Sequence, residues 1–304
     1  RAIAIKTKLI FAFATIGFLM LASSSFFYWS LGQINHATSD IETLAVPVQQ
    51  QSHALRLSLL SITKFNAVAY SQTSKASLQQ QQQSTHEEQA LFKTKLEELN
   101  SQLHDQPQML QLLSQITQRY QKFSDTSATM FNTKQQGLTA ATQVTSLAND
   151  YANNLADLSS GLLDLELIEV TPEQQSLLAA IVGTATRIDD LLFTLGNNVK
   201  SINHISSLQT LTEHQQDTAF LLDNIQSNFT YLQQQASELK NQTNFSNLKD
   251  LLSLINQQLA TLYQQQSTLL TSKVATEQAF AVFQQQFQLT EQLIIELNHL
   301  ADKR

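Results

Sequence analysis

The chain is a succession of long apolar stripes with very little to interrupt them. Apolar residues recur in alternating steps of four and three through Phe92, Leu96, Leu99 and Leu103, then through Met109, Leu113, Ile116, Tyr120, Phe123 and Met130, with Ser127 the one polar member. The same rhythm runs from Val144 through Tyr151, Leu158 and Leu165, from Ile181 through Ile188, Leu195 and Ile202, from Leu222 to Leu239, and from Leu248 to Leu262. Such spacing lays one stripe along a helix and requires neighbouring helices to bury it. No stretch alternates with period two for long enough to argue for a sheet. With 6 glycines and 3 prolines in 304 residues, turns are few and segments long. These features predict an all-α protein.

The breaks between stripes have recognisable chemistry. "SQTSKAS" at 71–77 is a small polar turn, "HDQPQ" at 104–108 offers a proline for a helix's first turn, and "TPEQ" at 171–174 reads as a capping box with Pro172 at the first helical position. "SSLQT" at 206–210 and "NQTNFS" at 241–246 supply further caps. Gly137 is a weaker break, since one glycine inside a helix costs only about 1 kcal/mol. The intervals are each about thirty residues, on the order of 45 Å of helix, and the last, 246–302, is about double. This predicts two stacked antiparallel four-helix bundles after an N-terminal transmembrane helix. The membrane-proximal bundle is expected from about 31–72, 138–205 and 273–302, and the membrane-distal bundle from about 77–136 and 210–272. In this path 77–104 continues the rise of the first segment, the chain turns beside the membrane at Thr171 and Pro172, and the hairpins at 104–107 and 241–246 form the distal tips. The competing arrangement has two consecutive bundles, 30–170 and 171–302.

From Leu9 to Trp29 no side chain is charged, and about 21 residues span roughly 31 Å, the thickness of a bilayer's hydrocarbon core. Lys6 and Lys8 precede the run and nothing basic follows before Arg56, which places residues 1–8 in the cytoplasm as a short stub, 9–30 in the membrane and 31–304 outside. Tyr28 and Trp29 then fall at the far interface. The competing reading is a cleaved signal with a small-residue site at 22–24. Pro47 lies within the first rising segment and is expected to kink it.

Chemistry is sparse. The formal net charge is −7, and lysines and arginines are scattered singly, so no nucleic-acid surface is expected. The absence of cysteine removes disulfides, thiolate nucleophiles and thiolate metal sites. The seven histidines form no pair at helical spacing, and Glu296 with His299 is the only Glu-x-x-His pair, one too few for a di-metal bundle centre. Asp164, Glu166, Glu169, Asp189 and Asp190 read as solvated helix faces. There is no phosphate loop, nucleophile elbow or triad, and Trp29, the only tryptophan, is already assigned to the interface, so no aromatic cage is available for a quaternary ammonium. No enzyme, cofactor or metal is expected. Partner contacts are expected at the two tips, Asp105, Gln106 and Pro107 on one and Asn241, Asn244 and Phe245 on the other.

"KLIFAFATIGFLMLASSSFFYWSL" followed by "LAVPVQQQSHALRLSLLSITKFNAVAY" resembles the start of the TorS family of trimethylamine-N-oxide sensor kinases, over residues 6–70. The resemblance implies a helical, dimeric periplasmic sensor region anchored in the bacterial inner membrane. It also implies recognition of a periplasmic binding protein that itself holds the ligand, and a kinase part beyond the sensor, so that a chain stopping at Arg304 would be a non-catalytic fragment. The alternatives left open are direct capture of a small ligand, as in chemoreceptors, and a structural coiled coil of the envelope.

Overall fold

The structure, a computed structural model, describes residues 17–31, 45–239 and 245–302. All the regular structure among them is helical. Helix α1 covers 17–31; α2 is Val46–Ser71, α3 Lys75–Gln102, α4 Pro107–Leu163, α5 Gln175–Ser201, α6 Leu208–Ser237 and α7 Phe245–Asp302. The protein is an all-α helical bundle protein, and beyond α1 the helices divide between two units, each with its own core.

The first unit takes residues 45–65, 83–125 and 283–302, that is, most of α2 and α3, the start of α4 and the end of α7. Leu55, Leu59 and Ile62 of α2, Phe92 and Leu99 of α3, Ile116 and Phe123 of α4 and Phe283 and Leu297 of α7 are all fully buried. Phe92 stacks on Tyr120 at 3.9 Å between ring centres and Phe123 on Phe283 at 4.5 Å. Polar pairs fix the register. The Ser58 hydroxyl approaches the Glu88 carbonyl at 3.4 Å and Lys95 Nζ the Ala54 carbonyl at 3.5 Å, so α3 runs antiparallel to α2. Arg56 pairs with Glu291 at 2.7 Å and Gln49 bonds Asp302, so α7 is antiparallel to α2 as well.

The second unit takes residues 66–82 and 126–282. Its main core joins α4, α5, α6 and α7 through Leu158, Ile188, Leu195, Ile225, Phe229, Leu232 and Ile255. Successive helices are antiparallel. Thr184 donates to Gln235 at 2.8 Å near one end of the α5–α6 pair, and Ser201 meets His214 at 2.9 Å near the other. Between α4 and α7, Asn154 donates to Gln258 at 2.9 Å, and a Cβ on Gly161 would lie 2.5 Å from Leu248, so glycine permits the close approach there. The end of α2 and start of α3 close a smaller cluster of Ala69, Leu78, Met130, Phe131 and Ala279, with Tyr70 stacked on Phe280 at 4.5 Å.

Several expectations are corrected. Gly137 does not interrupt α4, which runs unbroken for 57 residues, since one glycine costs a helix of that length only about 1 kcal/mol. The linker at 72–74 reverses the chain instead of continuing it. The Ser74 hydroxyl accepts from the Ser77 amide at 3.2 Å and Gln72 N–H bonds the Ala69 carbonyl at 3.1 Å, which ends α2 and starts α3 within three residues. The segments that meet in each unit are not those expected. Residues 83–125 join 45–65 and 283–302 in the first unit, while 66–82 and 126–239 join 245–282 in the second. Residues 164–174, expected at the opposite end from 241–246, lie at the same end as the start of α7, since Gly161 and Leu248 touch.

Candidate partner-docking surface

The expected contact residues that are described belong to different units. Asp105, Gln106 and Pro107 belong to a turn of the first unit, in which Gln106 N–H bonds the Leu103 carbonyl at 2.8 Å and Pro107 opens α4. Asp105 is exposed and faces His104 at 2.7 Å. Phe245 belongs to the second unit and is 8% exposed, a member of its core. Asn241 and Asn244 lie outside the described residues, as do Lys6 and Lys8. Pro47 is the second residue of α2 and follows the π-helical Ala45, and the kink expected there falls against residues 41–44, which lie outside the described residues.

Tyr28 and Trp29 are 84% and 62% exposed on α1, among exposed Phe18, Leu19, Met20, Leu21, Phe26 and Phe27. The Ser23 hydroxyl bonds the Leu19 carbonyl at 2.6 Å, so this helix satisfies its own polar group. Residues 9–16 lie outside the described residues, and among those described no helix is long and apolar enough to cross a membrane.

The most exposed apolar surface outside α1 includes a feature that the sequence reading passed over, the α4–α5 turn. Leu163 is 56% exposed and Leu167 77%, while Leu165 between them is buried and anchors the turn to the core. The backbone tightens into 3₁₀ turns at Asp164–Leu167 and Pro172–Gln174, whose three-residue repeat turns Leu162 and Leu165 inward and leaves Leu163, Asp164, Glu166 and Leu167 exposed. Asp164, Glu166, Glu169 and Glu173 are exposed and flank the leucines in sequence, and no basic residue occurs between Lys134 and Arg187. The result is an apolar knob in a field of four carboxylates. The signal in the sequence was "LLDLELIEV", where leucine recurs every second residue after a helical stripe has ended; the carboxylates alone drew attention as a solvated face.

A polar relay lies in the interior of the same unit. His214 Nδ1 is 2.6 Å from the Tyr263 hydroxyl, Tyr263 donates to Thr218 at 2.8 Å, and Thr218 donates to the His214 carbonyl at 2.8 Å. The Ser201 hydroxyl lies 2.9 Å from His214 Nε2 and donates to the Asn198 carbonyl at 2.6 Å. Burial pushes the Tyr263 phenol up, opposed by the bond to Thr218. These bonds tie α5, α6 and α7 together. Among the described residues no three metal-binding side chains converge.

No family model and no curated protein matches the chain. Solved structures do. The TorS sensor domain, in its complex with TorT in the presence of TMAO, superposes with a TM-score of 0.56 at 14% identity, covering 84% of this chain and 97% of that one. The sensor domain of the Vibrio parahaemolyticus histidine kinase TorS matches over 87% of this chain and 98% of its own, at 15% identity and a TM-score of 0.47. The chain has the all-helical fold of a TorS sensor domain.

Proposed function

We propose that the chain is the periplasmic signal-input module of a two-component sensor kinase, and that it recognises a ligand-holding periplasmic binding protein of the trimethylamine-N-oxide type. The observation that carries this reading is the shared fold, because the structure with that fold is a sensor domain in complex with TorT in the presence of TMAO. The exposed apolar α1 supports a membrane anchor, with Lys6 and Lys8 on the cytoplasmic side and Tyr28 and Trp29 at the periplasmic interface. Pairing of two copies in the membrane is part of the reading. Helix α7 runs 58 residues without interruption and supplies core residues to both units, which suits transmission by a shift between discrete packings.

Within this reading the partner docks on the second unit at the knob of Leu163 and Leu167, presenting an apolar socket rimmed by lysine or arginine, with Asn241 and Asn244 as further proposed contacts. The turn of Asp105, Gln106 and Pro107 is a second proposed contact. The full chain in nanodiscs, mixed with a Tor-type binding protein with and without trimethylamine N-oxide, should give a complex by light scattering whose affinity depends on the ligand. Leu167→Asp should weaken it at least tenfold without changing the circular dichroism. No complex under either condition would overturn the reading; a complex indifferent to Leu167→Asp would move the contact to Asp105–Pro107.

A further inference from the structure

A cavity of about 300 Å³ opens in the second unit where the end of α2 meets α4 and α7, lined by Tyr70, Lys134, Leu138, Leu269, Ser272 and Lys273. That volume is at the small end of ligand cavities, which run from about 300 Å³. Lys134 Nζ donates to the Tyr70 carbonyl at 2.6 Å and lies 5.7 Å from the centre of the Tyr70 ring. It thereby caps α2, whose last turn has no basic residue of its own. An ammonium has three donors, and this carbonyl uses one. Among the described residues no carboxylate lies within 4 Å of either Lys134 or Lys273, although Glu277 lines the same cavity. Burial holds the Lys134 ammonium below its ordinary pKa.

The remaining walls fix what would compensate it. Leu138, Ala141, Leu269 and the Tyr70 ring are apolar, and Gly137 contributes no side chain, so the space lined by Lys134 and Lys273 favours a compact hydrocarbon body. The unpaired Glu277 at the same cavity disfavours a doubly charged anion. We propose that this cavity binds a small monocarboxylate with an apolar body, its carboxylate held between Lys134 and Lys273. In a chain of net charge −7 the attraction is local to this pocket. The site is separate from the α4–α5 turn, and its test needs no partner protein.

Benzoate is the probe, with benzamide as its neutral isostere and inorganic phosphate as an anion without an apolar body. Titrated into the full chain and followed by calorimetry, benzoate should saturate a single site and benzamide should bind at least tenfold more weakly. Lys273→Gln alters an exposed side chain and should leave the melting temperature unchanged while weakening benzoate at least tenfold. Lys134→Arg should retain binding that Lys134→Gln loses, which separates charge from the capping of α2. The absence of saturable benzoate binding, equal affinity in Lys273→Gln, or phosphate binding as tightly as benzoate would each overturn the proposal.

Discussion

Two tyrosines in the second unit show how much a hydroxyl depends on its partners. Tyr263 Oη touches both His214 Nδ1 and Thr218 Oγ1, while Tyr151 Oη is buried with no hydrogen-bond partner. Tyr263→Phe should therefore cost about 1–3 kcal/mol, since it removes a bond and strands the histidine donor. Tyr151→Phe removes a buried polar atom that has nothing to bond, and should be neutral or stabilising by up to about 1 kcal/mol. Urea unfolding of the two variants side by side decides it; equal losses would show that Tyr151 has a partner in solution. Burial also raises the phenols of Tyr120, Tyr151 and Tyr263. Each folded phenol keeps its proton above pH 10.0, where the unfolded one loses it, so the unfolded state binds fewer protons there and stability falls as pH rises. This contribution is complete below pH 10.0. Lys134, lowered by burial from 10.5, works the other way, one group against three. Unfolding midpoints should hold up to about pH 10 and decline beyond it, with part of the tyrosinate absorbance at 295 nm appearing only as helix is lost. Complete tyrosine ionisation in a still helical chain would contradict this.

At the scale of the element, caps sort by whether their side chain reaches an amide. Ser207 accepts from the Thr210 amide at 3.1 Å and starts α6, whereas Thr171 makes no bond to a backbone amide; its hydroxyl faces the Gln174 side chain at 3.4 Å. The capping box read from "TPEQ" is thus not closed, because the segment enters a 3₁₀ turn at Pro172 rather than an α-helix. Ser207→Ala should cost about 1 kcal/mol and Thr171→Ala a few tenths at most, measured by thermal unfolding. An equal cost would mean that the Thr171 cap forms. These details show which parts of the fold could be read in advance. The stripes give the buried faces well, and Phe92, Ile116, Ile188, Phe229 and Ile255 all reach the core. What they do not give is direction, because a Ser-capped break such as 72–74 looks the same whether the chain continues or doubles back. The proposed docking surface was less legible still. Leu167 belongs to no stripe, and Phe245, chosen as a surface residue, completes one.

For the molecule as a whole, the direction of α3 decides which segments share a core, and one pair of residues reports it. If 77–104 continued the rise of α2, Ser58 and residue 88 would stand on the order of 45 Å apart along the helix axis. In the structure the Ser58 hydroxyl instead lies 3.4 Å from the Glu88 carbonyl and also bonds its carboxylate. The chain contains no cysteine, so Ser58→Cys with Glu88→Cys creates the only two thiols in it. Trypsin cleaves after Lys64 and Lys75, which separates the two positions unless a link joins them. A short bifunctional maleimide, followed by digestion and mass spectrometry, should return one linked peptide pair from chains of single mass. Linked chains of doubled mass, or two separately capped peptides, would restore the continuing path and with it a different partition of the helices between the two cores. The expected outcome also bears on function. With α3 folded back on α2, the helices that enter the second core between Thr126 and Val282 form a unit whose α4–α5 turn lies beside the start of α7. A partner seated on Leu163 and Leu167 would then press on the helix that runs on, unbroken, to Asp302.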